Sequence, residues 1–454
     1  MLTPPTRGPA RRTVLTALGA LGAGAALTGC SGMDVSQPQG SGPRTGLTRR
    51  RVRLRMGVLP GPTERLWTSA LVEDFQKLHP NISVELQASA QITDLRTTVT
   101  SAMSGDLPDI MFSSDVLAQS QASKGLLLDL SPYLKDYGHT DGDFIGKIME
   151  LGRWEGRQYV LPRGLDQVVV AYNPRLFDSA GLEQPRQGWT WQEFKAAAAK
   201  IDGVRKGERY WGTGTVAGWS YGQYPVYVPF MRGWGGDISE ADGSRATLDD
   251  PRVARGVREM MSYFGRYSTA YAPPPVDPFL SGRAGMNFLA RPQVFSLLAS
   301  PDRMKWAIPF KPGFASFPLF PTPRIGAGMA GWAGTVNTRH PHETAAFLMY
   351  TLSARGQRLY AKIAGEVPVR SDLADDPSWQ DTMNFDGEID QRAFTAYGDY
   401  QSFPPGNLPL VSNAQMATAV QDALDSVRLG TTTPEEAMRR CNRTVNDTLV
   451  GLQQ

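Results

Sequence analysis

The pentapeptide Gly218–Gly222, GWSYG, is the clearest candidate for catalytic chemistry, because it fits the pattern G-x-S-x-G. In hydrolases this pattern places a nucleophilic serine on a tight turn between a strand and a helix. The context is unfavourable, since Gly212–Gly218 predicts a poor strand and Gln223–Pro229, with two prolines, predicts a poor helix. The candidate bases that follow are only His340 and His342, which flank a proline at a predicted helix start. We therefore expect no catalytic residue and no enzyme.

Metal and nucleotide chemistry have no motif to support them. The chain contains no H-E-x-x-H, no C-x-x-C and no P-loop, so we expect neither a metal ion nor a cofactor. A glycosidase would need two carboxylates about 5 to 9.5 Å apart across its site. The sequence by itself leaves this open for Asp115 and Asp166, which a test with chromogenic glycosides would decide.

Aromatic residues are concentrated between Trp211 and Trp234, among glycines and prolines that predict no long helix. A sugar presents hydroxyls that donate and accept hydrogen bonds and apolar faces that stack on rings, so its site needs carboxylates or amides with Trp and Tyr. The segment could form the floor of such a site, or about half of its rings could pack between helices. The aromatic residues concerned are Trp219, Tyr221, Tyr224, Tyr227, Phe230 and Trp234.

The N-terminus predicts a cleaved export signal. Two arginines, Arg11 and Arg12, precede thirteen apolar, small or hydroxyl residues, and the sequence LTGC ends at Cys30. LTGC resembles the lipobox of bacterial lipoproteins, which implies that residues 1–29 are a signal peptide and that Cys30 is acylated. The arginine pair also resembles a twin-arginine signal, although Val14 stands where a phenylalanine is usual, so the route is either twin-arginine or general secretory.

The net charge and the cysteine content argue against a nucleic-acid partner and against an internal disulfide. The formal charge of +3 includes three arginines of the leader, so the remaining chain is close to neutral, which argues against a nucleic-acid partner. Only two cysteines are present, Cys30 and Cys441. If Cys30 carries lipid, Cys441 has no partner for a disulfide, and we expect it to be a small buried helix residue.

The pattern after the leader predicts a flexible linker and then an α/β body. Residues 30–50 are rich in Gly, Ser, Pro and Gln and cannot bury a core. The next segments alternate as strand Arg53–Leu59, helix Glu64–Leu78, strand Ile82–Leu86, helix Thr93–Met103 and strand Asp109–Phe112. This order predicts a parallel sheet whose ligand lies beyond the carboxyl ends of the strands. Glu64, Ser113 and Asp115 are therefore candidate ligand contacts.

Longer stretches of the body resemble a known family. They include WTSALVEDFQKLHPNISVEL, GDLPDIMFSSDVLAQSQASKGLLLDLSPYL, EGRQYVLPRGLDQVVVAYNPRLFDSAGL, GWTWQEFKAAAAKI and GTTTPEEAMRRCNRTVNDTL. In this order and spacing, over most of residues 52–450, they resemble the extracellular solute-binding proteins of bacterial ABC importers. The branch is the one that includes maltose- and oligosaccharide-binding proteins.

The resemblance implies a periplasmic-binding-protein-like fold with two α/β lobes, hinge crossovers and a ligand cleft between the lobes. It places the first lobe at residues 51–167 and 330–388, and the second lobe at residues 168–329 and 389–454. The crossovers fall near Asp166–Val170, Met329–Ala333 and residues 385–395. The apolar run Val168–Ala171 agrees with a buried strand at the first of them.

The resemblance also implies site residues. Asp166 stands where an acid commonly bonds ligand hydroxyls, and Asp115 matches a second acidic position, although each could instead cap a helix. Arg163 could pair with Asp166 or with an anionic ligand. Trp332, at the second crossover, is a further predicted ligand contact. Because Pro409–Val420 lacks the tryptophan that some relatives carry there, long maltodextrin-type ligands are not favoured.

Together these observations predict a monomeric, lipid-anchored capture protein on the outer face of the cell membrane. We expect it to bind a mono- or short oligosaccharide and to pass it to the permease subunits of an importer. Glycerol phosphates and polyamines are alternative ligands, because relatives of this branch also take up such solutes. A secreted lipoprotein hydrolase that uses the GWSYG serine is the less favoured alternative.

Overall fold

The computed structural model describes residues 46–88, 95–215, 224–300, 305–383, 389–402 and 413–453. The predicted signal peptide, Cys30, Trp219, Ser220 and Tyr221 lie outside these ranges. No helix in the described ranges combines the length and the apolar character needed to cross a bilayer.

Within the described ranges the strands form two main sheets and two smaller ones. The described strands are β1 Val52–Val58, β2 Ile82–Ala88, β3 Ile110–Ser114, β4 Arg153–Trp154, β5 Arg157–Gln158, β6 Val160–Pro162, β7 Asp166–Gln167, β8 Val169–Tyr172, β9 Gly203–Arg205, β10 Glu208–Thr213, β11 Ala284–Leu289, β12 Gly313–Ser316, β13 Ile325–Gly328, β14 Ala330–Gly334 and β15 Gln401–Ser402.

Helices cover the sheets and connect their strands. The described helices are α1 Pro62–Leu78, α2 Leu95–Met103, α3 Asp115–Ser123, α4 Ser131–Asp136, α5 Pro174–Ser179, α6 Trp191–Ile201, α7 Tyr224–Arg232, α8 Pro251–Tyr267, α9 Arg291–Gln293, α10 Pro341–Leu352, α11 Ala354–Ala364, α12 Pro377–Gln380, α13 Asn413–Arg428 and α14 Pro434–Gln453.

The first sheet has the strand order β2-β1-β3-β14-β6. Strands β2 and β3 pair with β1 in parallel, whereas β14 is antiparallel to both β3 and β6. In β1 the buried Val52 and Leu54 flank the exposed Arg53, as the sequence alternation predicts. The predicted β-α-β-α-β order of this lobe is confirmed.

The second sheet has the order β12-β8-β11-β10-β9, and β8 lies between two antiparallel neighbours. All four residues of β8 are buried, as expected from its apolar run. Helix α5 begins after Asn173, whose side chain accepts a hydrogen bond from the Arg175 amide. Pro174 occupies the first helical position, where its missing N–H costs nothing.

A short hinge sheet, β15-β13-β7, lies where the chain passes between the two larger sheets. Residues 165–172, which the sequence presents as one strand, divide here into β7 of the hinge sheet and β8 of the second sheet. Gly326 allows the close packing, because a Cβ at this position would meet the carbonyl oxygen of Pro225. The architecture is the predicted two-lobed α/β arrangement, and the residue limits of the lobes stay a prediction.

The buried apolar residues of the described ranges form two core clusters, of which the first also includes Val169, Ala171 and Leu289 of the second sheet. The first is built around residues such as Phe75, Trp332 and Phe347. The second is dominated by aromatic rings, among which Trp191 meets Phe230 edge to face with centroids 4.8 Å apart. These cores set the positions of the strand ends from which the candidate ligand residues project.

Two local predictions have different outcomes. Tyr224–Arg232 forms a helix, so the prediction that Gln223–Pro229 is a poor helix was wrong. The whole segment from Pro225 to Met231 is buried, and this burial outweighs the low helix propensity of Pro229. Cys441 is buried in α14 as predicted, and burial raises the pKa of its thiol to about 12.

Candidate functional site

Asp115 is the residue at which the first lobe meets the hinge. It is the first residue of α3, directly after β3, and it is 4% exposed. Its Oδ2 accepts a hydrogen bond from the Tyr224 hydroxyl at 2.6 Å and another from the Met329 amide at 3.0 Å. Two residues predicted separately as ligand contacts, Asp115 and Tyr224, therefore form one unit.

Tyr224 remains a hydrogen-bond donor in this unit. Burial, and then the charge of Asp115, raise the pKa of the Tyr224 hydroxyl well above its ordinary value. At neutral pH Tyr224 is therefore a neutral phenol whose one proton is donated to Asp115, so the pair presents acceptor oxygens to a ligand.

Gly328 brings Asp166 to the same place. In the hinge sheet Gly328 is the register partner of Asp166. A Cβ on Gly328 would clash with the Tyr224 hydroxyl and the Asp115 carboxylate, so only glycine allows this approach. The structure thus gathers Asp115, Tyr224 and Asp166 around one backbone position between the two main sheets.

A buried charge cluster lies on the other side of Asp166. Nη1 of Arg163 donates to Oε1 of Glu64 at 2.6 Å, and Nε of Arg163 lies 3.9 Å from Oε1 of Glu366. All three side chains are buried, with residue exposures of 6%, 8% and 2%. The sequence suggested Asp166 or an anionic ligand as the partner of Arg163, whereas the structure pairs it with Glu64 and Glu366.

Aromatic rings enclose the Arg163 guanidinium. Its central carbon lies 5.4 Å from the ring centroid of Phe112 and 5.7 Å from those of Trp332 and Tyr360. Burial lowers the pKa of Arg163, but the neighbouring Tyr360 and Glu64 raise it by more, so the guanidinium stays charged. This cation holds the carboxylates of the first lobe in place.

Glu366 is the residue of the cluster that the sequence reasoning missed. It follows α11 in the run Ala364–Val369, where it is the only charged residue. A single acid among small and apolar residues is the signal that could have identified a buried, partnered carboxylate.

The remaining predicted contacts occupy different environments. Ser113 is fully buried, and its hydroxyl donates to Gln121. Trp234 is half-buried and packs on Phe320, with ring centroids 5.1 Å apart. Trp332 is 1% exposed and belongs to the core of the first lobe, so in this conformation it presents no ring face to a ligand.

This arrangement suits a polyhydroxyl ligand better than an anion. The hinge region contributes the carboxylates Asp115, Asp166, Glu64 and Glu366, and the nearest guanidinium is already paired. A phosphate would meet like charges there. The described residues contain no group of three or more His, Cys, Asp or Glu that could hold a metal ion.

A family model provides the first comparison with known proteins. The family described as bacterial extracellular solute-binding protein matches residues 61–358. Among curated proteins, the diacetylchitobiose binding protein DasA of Streptomyces coelicolor is 25% identical over 260 residues, or 54% of this chain and 54% of that protein. The chain thus spans about half the length of this relative.

Solved structures share the fold over most of the chain. The ABC substrate-binding protein Lmo0181 of Listeria monocytogenes, solved with cycloalternan, gives a TM-score of 0.72 at 20% identity and covers 88% of this chain and 99% of its own. The sugar-binding protein MalE of Xanthomonas citri gives 0.72 at 17% identity, with 88% and 98% covered. The likeness establishes the two-lobed fold of periplasmic binding proteins.

Proposed function

The chain belongs to the family of bacterial extracellular solute-binding proteins, and we propose that it captures a mono- or short oligosaccharide between its lobes for an ABC importer. As a member of this family it is an exported binding protein and not an enzyme. The observation that carries the sugar proposal is the group of Asp115, Tyr224 and Asp166 around Gly328. The Tyr224 hydroxyl gives its one proton to Asp115, so the oxygens of this group offer acceptors for the protons of sugar hydroxyls.

The relatives support the same class of ligand. The names of DasA and MalE describe binding of diacetylchitobiose and of sugar, and Lmo0181 was solved with cycloalternan. The acidic hinge region opposes a glycerol phosphate by charge repulsion. The same carboxylates would bind a cationic polyamine. A binding experiment therefore has to distinguish a polyamine from a sugar.

A thermal-shift panel tests the proposal. The purified protein is mixed with N,N′-diacetylchitobiose, maltotriose, mannotriose, glycerol 3-phosphate or spermidine. A sugar at 100 times its dissociation constant should stabilise the protein by about 2.7 kcal/mol and raise its melting temperature. A shift with spermidine or glycerol 3-phosphate and with none of the sugars would contradict the proposal.

Asp115→Asn provides the matched variant. It retains the shape of the side chain but removes a charge that accepts hydrogen bonds, so sugar affinity should fall by about 1.5–3 kcal/mol. Asp141→Asn changes an exposed acid paired with Arg153 and should bind like the wild type. Equal affinity of the Asp115 variant and the wild type, measured by calorimetric titration, would remove Asp115 from the site.

The anchor and the partners complete the proposed function. Cys30 is acylated after cleavage of the signal peptide, and the segment after it tethers the binding lobes to the outer face of the membrane. The protein acts as a monomer and delivers its ligand to the permease subunits. Support comes from the LTGC motif and from the Gly- and Ser-rich composition of the tether.

Cys30→Ser should release the protein from the membrane fraction into the soluble fraction, because a serine cannot carry the thioether-linked lipid. Sugar affinity should stay unchanged. Fractionation of cells that express each form, followed by immunoblotting, measures the distribution. Processed Cys30→Ser protein that stays in the membrane pellet would rule out the anchor at this residue.

A further inference from the structure

The hinge backbone places two acids opposite each other. Leu165 and Val367 form an antiparallel bridge, in which the Leu165 amide donates to the Val367 carbonyl at 3.0 Å. One step further along this register, Asp166 lies opposite Glu366. Opposed residues of antiparallel strands have Cβ atoms about 4.5–5.5 Å apart, and like charges at such positions destabilise the pair.

Both acids have a buried oxygen without a donor. Oδ1 of Asp166 and Oε2 of Glu366 are inaccessible to solvent and accept no hydrogen bond from the chain. Two carboxylates cannot bond each other when both are ionised, because neither has a proton to donate. A single proton between them would satisfy both oxygens.

The surrounding charges do not neutralise the pair completely. Arg163 forms its short contact with Glu64 and is 3.9 Å from Glu366. Arg291 donates to the carbonyls of Gly365 and Trp379 and acts on Glu366 only through its charge. The titratable and charged groups that face the pair are Glu64 of α1, Asp115 of α3, Arg163 after β6, Tyr224 of α7, Arg291 of α9 and Tyr360 of α11.

We propose that Glu366 is a positioning residue for ligand binding, which shares one proton with Asp166 and so fixes the Asp166 carboxyl with its other oxygen, Oδ2, as a hydrogen-bond acceptor for a ligand hydroxyl. This inference rests on the proposed function in one respect, namely that Asp166 contacts the ligand. Glu366 itself is 2% exposed and acts through Asp166. The pair carries one negative charge instead of two, which limits the cost of enclosing it when the lobes close on a neutral sugar.

The protonation equilibria agree with this geometry. Burial, and then the charge of Glu366, raise the pKa of Asp166 well above its ordinary value, and burial raises the pKa of Glu366 as well. The native pKa of Asp166 lies above its unfolded value, which is about 4. The shared proton therefore contributes its full stabilisation of the native state at pH values below the unfolded pKa. It is lost as the pH rises through the native pKa.

Infrared difference spectra of the ligand-free protein test the shared proton directly. At neutral pH the wild type minus Glu366→Gln should contain the carbonyl band of one protonated carboxylic acid, because Asp166 ionises once its acidic neighbour is gone. Asp166→Asn should lose the same band, and Glu64→Gln, which leaves the pair intact, should retain it. Coincident spectra of the wild type and Glu366→Gln would overturn the proposal.

Urea unfolding across pH separates positioning from simple support of the fold. From pH 5 to 9 the unfolding constant of the wild type should rise more steeply than that of Glu366→Gln, by up to about tenfold per pH unit. Parallel pH profiles, with the variant less stable by the same factor throughout, would assign Glu366 a purely structural role and overturn the proposal.

The last measurement concerns binding and uses the sugar that gives the largest shift in the panel. Wild-type affinity should fall as the pH rises through the second ionisation of the pair, whereas the affinity of Glu366→Gln should stay constant. The same pH profile in both proteins would overturn the positioning role. Failure of every sugar to bind would contradict the proposed function alone, because the spectra and the unfolding profiles require no ligand.

Discussion

Replacing Arg163 with Leu should lower the free energy of unfolding by about 3–5 kcal/mol at pH 8, because it leaves Glu64 and Glu366 buried without their shared cation. The variant also loses the contacts of the guanidinium with the rings of Phe112, Trp332 and Tyr360. Urea denaturation followed by tryptophan fluorescence measures the change.

The loss should be smaller at pH 5 than at pH 8. Arg163 lowers the pKa of Glu366, so without it that pKa rises further and the native state of the variant binds a proton that the unfolded state releases. A raised native pKa adds stability at low pH that disappears as the pH increases. The relative stability of the variant therefore improves on acidification.

Arg53→Leu is the control for the Arg163 variant. The side chain of Arg53 is 76% exposed, and its contact with Glu85 is on the surface. This change should alter stability by no more than about 0.5 kcal/mol. A loss below about 1 kcal/mol for Arg163→Leu at pH 8 would contradict a structural role for the buried cluster.

Trp332→Ala should destabilise the fold by about 3–5 kcal/mol, the usual cost of truncating a large buried aromatic residue. Trp332 is 1% exposed, and it meets Tyr360 edge to face with ring centroids 5.4 Å apart. Because this residue packs in the core, sugar affinity of the folded fraction should be unchanged. Thermal melting and calorimetric titration of the same preparation measure the two quantities.

Trp332→Phe is the conservative control and should lose less stability, since it retains an aromatic ring against Tyr360. A truncated variant with normal stability but weak sugar binding would return Trp332 to the ligand site, where the sequence reasoning had placed it. Comparing the loss of stability with the loss of sugar affinity therefore separates core packing from ligand contact.

Much of the fold follows from local patterns. The alternation that begins with Arg53, Leu54 and Arg55 predicts β1, and the apolar run Val168–Ala171 predicts a buried strand, because side-chain burial has a period that the chain itself displays. The helix Tyr224–Arg232 was not predicted. Its stability comes from burial within the second lobe, and this burial outweighs the low helix propensity of Pro229.

The sequence pointed to several of the candidate site residues. Position after a strand end identified Asp115, the aromatic segment identified Tyr224, and the family resemblance identified Asp166. The structure brings these three together around Gly328. Glu366 was missed, because its neighbours along the chain give no sign of Asp166 or Arg163. Trp332 was assigned to the ligand because it lies near the second crossover. A tryptophan at such a position can face either the cleft or the core, and the sequence does not distinguish the two.

The sequence by itself determined the alternating α/β order of the first lobe and the family, and it predicts an export signal and a lipobox cysteine as a candidate anchor. These features are local, or they depend on the order of motifs along one chain. Only the tertiary structure decided which charges meet. Arg163 and Glu64 are 99 positions apart and Asp115 and Met329 are 214 apart, and contacts at such separations depend on how two lobes and a hinge pack, which no local pattern encodes.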